Sequence, residues 1–178
     1  MKQKSLTKKS VFLSYLLRHK PESAGLTLGQ HGWVSTQALV ASTDLTFDEI
    51  DQIVAEDEKG RYSINEGMIR ANQGHSVSVD LQLKKAVPPV TLYHGTPLSA
   101  KDIIGKQGLL PMKRHHVHLS ADKTTAEVVG VRRKGKTVIF EVDAKRMLAD
   151  GFTFFISDNG VWLTDSVPPK YLHATIFP

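Results

Sequence analysis

Arginine's planar guanidinium binds two phosphate oxygens at once and stays charged at any working pH. The chain offers it, beside histidine, in several separate segments. Arg18-His19 stands just before Lys20-Pro21, and Arg70 opens the run Arg70-Ala71-Asn72-Gln73-Gly74-His75-Ser76. Gly130-Val131-Arg132-Arg133-Lys134-Gly135-Lys136 is a strongly basic turn, either a clamp for phosphate or RNA or an ordinary solvated loop. Singly, Arg18 and His19 have a simpler explanation: cations at a helix C-terminus complement its dipole for roughly 0.3–1 kcal/mol. His94-Gly95-Thr96 closes a strand, where Gly95 would let backbone approach a ligand and His94 and Thr96 would offer hydrogen bonds on either side. His115-His116-Val117-His118 invites a metal reading. With no cysteine and no helix carrying His at i and i+4, the alternation of Val117 and Leu119 with His118 and Ser120 reads instead as a half-buried strand, and no metal is expected. There is no GxGxxG fingerprint, Walker lysine loop or nucleophile elbow, and no pair of carboxylates that spacing alone would bring together, so the usual kinase and hydrolase readings have no anchor.

The elements that must position these residues fall into two halves. Thr7 to Leu17 reads as a helix with a broad apolar face, stopped by Pro21. His31-Gly32-Trp33-Val34 turns into a short extended piece, and Ser35 suits the N-cap of a helix through Ala38, Leu39 and Val40. Thr46-Phe47-Asp48-Glu49 matches a capping box, with Ile50, Ile53 and Val54 following at helical spacing. Arg61 to Ile64 and Met68 to Ala71 flank Asn65-Glu66-Gly67 as a hairpin. Three helices and then a hairpin is the order of a winged helix. Lys84-Lys85-Ala86-Val87-Pro88-Pro89-Val90 reads as an exposed connector, giving a lobe over residues 1–86 and a second over 87–178.

The second half is richer in strands: Val90 to Tyr93, Val117 to Ser120, Thr137 to Val142, Phe152 to Ile156, Val161 to Leu163 and Leu172 to Ile176. Ser99 to Lys106 and Lys123 to Val129 read as short helices. The fold class expected is α+β, with a β-rich second lobe.

Composition permits a nucleic-acid partner. Among 178 residues the formal charge is +5; residues 1–86 carry 11 Lys/Arg against 10 Asp/Glu, and residues 87–178 carry 12 against 8. No apolar run approaches the ~18 residues of a membrane span. The basic N-terminal twenty residues do not read as a secretory signal, and the absence of cysteine fits a cytoplasmic enzyme. Size and charge suit a monomer.

From Leu13 to Tyr171 the chain resembles the RNA 2′-phosphotransferases, the KptA group of NAD⁺-dependent enzymes. The landmarks run in order: Leu16-Leu17-Arg18-His19, Gly32-Trp33-Val34, Ile69 to Ser76, Leu92-Tyr93-His94-Gly95-Thr96, His116 to Ser120, Gly130-Val131-Arg132, and Asn159-Gly160-Val161-Trp162-Leu163 leading to Val167-Pro168-Pro169-Lys170-Tyr171-Leu172. The resemblance implies an N-terminal winged-helix lobe and a C-terminal lobe like that of ADP-ribosyltransferases. It implies an Arg-His-Arg-Arg set on Arg18, His19, Arg70 and Arg132, with Arg132 rather than Arg133 in the Gly-x-Arg position. It implies NAD⁺ contacts from His94, Gly95 and Thr96, with His118 and Ser120 nearby. Many transferases that modify proteins carry a glutamate in their third motif; here that stretch is Asn159-Gly160-Val161-Trp162, without an acid at Val161, which counts against protein modification.

The implied activity is removal of an internal 2′-phosphate from RNA, of the tRNA splice-junction type. It would pass through an RNA 2′-phospho-ADP-ribose and yield 2′-hydroxyl RNA, ADP-ribose 1″,2″-cyclic phosphate and nicotinamide. An RNA 2′-phosphate is already ionised at neutral pH, so it needs orientation and charge neutralisation rather than a general base, and arginines supply both. Two rivals follow from the same residues: a winged-helix protein that only binds nucleic acid, and an ADP-ribosyltransferase that leaves a stable adduct on a nucleic-acid phosphate or a protein.

Overall fold

A computed structural model of the chain describes residues 2–131 and 136–176. It divides into two compact units, Met1–Leu83 and Lys84–Pro178. The boundary falls at the start of the expected connector, which lies wholly in the second unit, lysines included.

The first unit is built on α1 (Lys2–Arg18), which starts five residues earlier than its apolar periodicity predicts. Leu13, Leu16 and Leu17 are fully buried along one face, and burial of each leucine stabilises by about 1.5–3 kcal/mol. Short 3-10 turns at Pro21–Ala24 and Gln30–Gly32 lead to β1 (Val34–Ser35), α2 (Thr36–Ser42) and α3 (Phe47–Ala55). The caps are those the sequence predicts. Ser35 accepts from Ala38 N, and Thr46 and Glu49 form a full capping box. Glu49 also receives Lys9 Nζ at 2.5 Å, tying α3 to α1. β2 (Tyr62–Asn65) and β3 (Met68–Ala71) form the hairpin through Glu66 and Gly67, both at positive φ, as a two-residue primed turn requires. The strands pair antiparallel in the order β1-β3-β2, with Val34 opposite Ile69 and Ser63 opposite Arg70. Leu39, Ile50, Ile53, Tyr62 and Ile69 complete this core, and the Tyr62 hydroxyl donates to Ser10 O at 2.9 Å.

The second unit opens with β4 (Lys84–Lys85), where the sequence suggests a connector. It is an edge strand, paired with Phe155 and Ile156, and two lysines are acceptable there because an edge strand faces water and charge blunts its pairing with other chains. Next come β5 (Thr91–Pro97), α4 (Lys101–Gln107), β6 (Val117–Leu119), α5 (Lys123–Val131), β7 (Thr137–Asp143) and α6 (Ala144–Ala149). β8 (Phe155–Ile156), β9 (Trp162–Thr164) and β10 (Leu172–Ile176) end the unit. Helix α6 is not apparent in the sequence pattern; it is capped by the Asp143 carboxylate accepting from Arg146 N and held by buried Ala144 and Met147. The strand expected over Phe152 to Ile156 is only two residues long.

Two antiparallel sheets result, β10-β7-β5 and β4-β8-β9-β6, joined where Tyr93 and Ser120 exchange backbone hydrogen bonds of 2.9 and 2.8 Å. Strand β7 is buried at Val138, Ile139, Phe140 and Val142, the apolar positions on either side of its half-buried Glu141. The whole is α+β, and none of the described helices is long and apolar enough to cross a membrane.

Candidate functional site

In the first unit, one segment serves both ends of the arginine–histidine set. Arg70 lies on β3, with its guanidinium carbon 4.9 Å from the centre of the Trp33 ring and Nη1 3.5 Å from His31 O. A guanidinium over an indole face is attracted by the ring quadrupole, so Trp33 orients the fork as well as shielding it. Past the strand, Asn72 fixes the chain's exit. Its N–H donates to Arg61 O at 2.8 Å, its Nδ2 donates to Gly60 O at 2.8 Å, and its Oδ1 accepts from Ser63 Oγ at 2.7 Å.

The chain then reaches the end of α1. Gly74 has φ +89°, and a Cβ built there would stand 3.7 Å from Cδ, Nε and Cζ of Arg18, so the backbone lies in van der Waals contact with that guanidinium stem. Ser76 N donates to Arg18 O at 2.9 Å and Val77 N to the same oxygen at 3.4 Å, satisfying a helix-end carbonyl. Ser76 Oγ lies 2.9 Å from His19 Nδ1. Arg18 itself is buried, with 9% of its surface exposed, which a purely dipole-complementing surface cation would not be. The stretch that begins at Arg70 thus ends by holding Arg18 and His19.

In the second unit the His-Gly-Thr segment is the end of β5. His94 Nδ1 is 3.0 Å from His118 O; because a carbonyl only accepts, the proton sits on Nδ1 and a neutral ring presents Nε2 as an acceptor. Burial lowers the His94 pKa, the His118 carbonyl opposes this, and the nearby Arg114 charge lowers it further, so the neutral ring is favoured. The pattern repeats one step on: His118 Nδ1 donates to His116 O at 3.0 Å. His116 is lowered by burial too, against the pull of Asp165, whose carboxylate is 3.7 Å away. Thr96 is half-buried opposite Val138, and Ser120 is engaged through its backbone with Tyr93.

At Gly95 the space that a side chain would fill is taken by the protein. A Cβ at Gly95 would stand 1.8 Å from Ala126 O and 3.1 Å from Gly130 N, so the glycine lets α5 lie directly on β5. Gly130 is the reciprocal glycine, its absent Cβ 2.2 Å from Thr137 Cγ2. The turn expected to begin at Gly130 is therefore still helix there. Arg132 lies outside the described residues, as does Arg133.

Ser76 and Trp33 are the two positioning partners the sequence does not single out. Each falls inside a landmark segment, but their pairing with His19 and Arg70 spans 57 and 37 positions and becomes visible only in the fold.

A family model described as RNA 2′-phosphotransferase, Tpt1 / KptA family, matches residues 4–166. Proteins carrying the curated name "Probable RNA 2′-phosphotransferase" are similar over nearly the whole chain. That of Rhizobium johnstonii is 51% identical over 97% of this chain and 96% of its own length. That of Burkholderia pseudomallei is 51% identical over 93% and 94%, and that of Fusobacterium nucleatum 46% identical over 90% and 94%. The chain belongs to the RNA 2′-phosphotransferase, Tpt1 / KptA family.

Proposed function

We propose that the chain removes an internal 2′-phosphate from RNA, of the tRNA splice-junction type, with NAD⁺ as the second substrate and no metal. The observation that carries this reading is the Arg70-to-Ser76 segment, which delivers one arginine and holds a second arginine and a histidine. Three such groups suit a dianionic phosphate better than they suit any neutral ligand. On this reading the first unit is a winged-helix lobe, supported by the order α1-β1-α2-α3-β2-β3. The second is an ADP-ribosyltransferase-like lobe. Arg132 is assigned to the same phosphate from its Gly-x-Arg position.

His94, Thr96, His118 and Ser120 are assigned to NAD⁺. The donor set fits: a neutral His94 offering Nε2 as an acceptor suits a ribose hydroxyl, and a neutral ring does not repel the positively charged nicotinamide ring. Gly95, whose missing side chain seats α5, is assigned to NAD⁺ with them through its backbone.

Arg18, Arg70 and Arg132 orient the RNA 2′-phosphate, one of whose oxygens attacks C1″ of the nicotinamide ribose. The C1″–N bond breaks and nicotinamide leaves with its electron pair, giving an RNA 2′-phospho-ADP-ribose. The ribose 2″-hydroxyl then attacks phosphorus, its proton is taken up, and the RNA 2′-oxygen departs with a proton. ADP-ribose 1″,2″-cyclic phosphate and 2′-hydroxyl RNA remain. His19 is assigned to move these protons, a reading supported by the contact of its Nδ1 with Ser76. Mass spectrometry of a reaction on a 2′-phosphorylated oligonucleotide tests the route. The cyclic phosphate is the expected product, and a stable ADP-ribosyl adduct on the RNA would overturn the second step.

A further inference from the structure

Helix α1 is apolar on two faces, and only one of them is used by the core. Leu13, Leu16 and Leu17 are fully buried, yet Phe12 is 42% and Tyr15 44% exposed. Lys8, Phe12, Tyr15 and His19 follow at intervals of four, three and four residues, which places them on one face of a helix with 3.6 residues per turn. His19 N still donates to Tyr15 O at 2.9 Å, so the helical path extends to the histidine. The Tyr15 and His19 rings stand 6.3 Å apart, tilted by 50°. The row of exposed rings therefore runs up to the residue assigned to the phosphate.

The charge of this helix identifies what covers the row. α1 holds Lys2, Lys4, Lys8, Lys9 and Arg18 and no acidic residue, and Lys8 is exposed on the aromatic face. An apolar protein surface laid here would bury that cation without compensation, whereas a polyanion with flat apolar groups satisfies both. A nucleic-acid strand is such a partner: its phosphates meet the cations and its bases stack on the rings.

We propose that the Phe12–Tyr15 face of α1 is a stacking platform for unpaired bases beside the RNA 2′-phosphate. This rests on the assignment of His19 to that phosphate. A base within a duplex is already stacked and shows no free face, so the platform selects RNA whose nucleotides at the modified position are single-stranded or splayed out. Selection is by stacking, so it tolerates any base identity.

The test uses the full chain and a short oligoribonucleotide with one internal 2′-phosphate and 2-aminopurine on the neighbouring nucleotide. Wild-type protein should quench the 2-aminopurine fluorescence saturably. Tyr15→Phe should retain the quenching, while Tyr15→Leu should lose most of it and weaken binding about tenfold, within the range for one base–aromatic stack. Phe12→Leu should give a smaller loss in the same direction. Both side chains are half exposed, so circular dichroism should show an unchanged fold. Tyr15→Leu binding and quenching like wild type would overturn the platform. Binding needs no turnover, which keeps the two proposals separable. Quenching through Tyr15 without release of nicotinamide would remove the proposed reaction and keep the platform; NAD⁺-dependent turnover with quenching indifferent to Tyr15 would do the reverse.

Discussion

Gly95→Ala adds one methyl group at the tightest contact in the second unit. The new Cβ would stand 1.8 Å from the carbonyl oxygen of Ala126 and 2.7 Å from its carbon. Carbon and oxygen rest at about 3.3 Å or more, so α5 must retreat by about 1.5 Å or β5 must bend. The obstacle is main chain in the middle of a helix, so no change of rotamer relieves it. Overpacking of this kind costs about 1–3 kcal/mol and sometimes more, and a backbone collision belongs at the upper end, near 3 kcal/mol. In a domain of this size each kcal/mol shifts Tm by about 4–8 °C, so the second unit should melt roughly 12–24 °C lower. Gly105→Ala is the control. It lies within α4 with nothing inside 4 Å of its Cβ, and the better helix former should stabilise by about 0.5–1 kcal/mol. Thermal melts by circular dichroism compare the three proteins. A Gly95→Ala melting point equal to wild type's would refute the assignment of this glycine to helix seating.

Ser76→Ala removes the hydroxyl 2.9 Å from His19 Nδ1 and leaves the backbone bonds to Arg18 O in place, so kcat should fall about 2- to 10-fold, the worth of one hydrogen bond, with melting temperature unchanged. Ser76→Thr should recover most of the rate, and a kcat unchanged in Ser76→Ala would show that the serine does not hold the histidine. His94 and His116 both have pKa values lowered by burial from an ordinary value of about 6.5. Below that pH the unfolded chain takes up protons that the folded one does not, so stability should fall as pH drops below about 6.5 and level off beneath the folded values. His94→Asn, which can still donate to His118 O, should flatten that slope in melts across the range; an unchanged slope would contradict it. Arg132→Ala should abolish turnover and Arg133→Ala should reduce it mildly, measured as nicotinamide release; the reverse order would exchange their roles.

Local chemistry made much of this fold readable. The Ser35 cap, the Thr46–Glu49 capping box and the Glu66-Gly67 turn are set by residues within a few positions of one another, and the structure has each of them. Strand β7 declared itself by its β-branched and aromatic residues, Val138, Ile139, Phe140 and Val142. What stayed hidden depends on distant partners. Lys84 and Lys85 become a strand only because Phe155 and Ile156 lie beside them, and α6 is too short for helical periodicity to emerge. The site divides in the same way. Arg18, His19, Arg70, His94 and His118 could be named from ordered segments, whereas Trp33 under Arg70 and Ser76 against His19 required the fold. The seating of α5 on Gly95 was equally out of sight, because a sequence shows that a side chain is missing and not what fills its space.

On the proposed reading, RNA 2′-phosphate is consumed together with NAD⁺. An end-labelled oligoribonucleotide bearing one internal 2′-phosphate, incubated with the full chain, measures it directly. The phosphate should be lost only when NAD⁺ is present, with one nicotinamide released for each 2′-hydroxyl formed. Phosphate loss without NAD⁺, or a 2′-phosphate that persists with both substrates supplied, would contradict it.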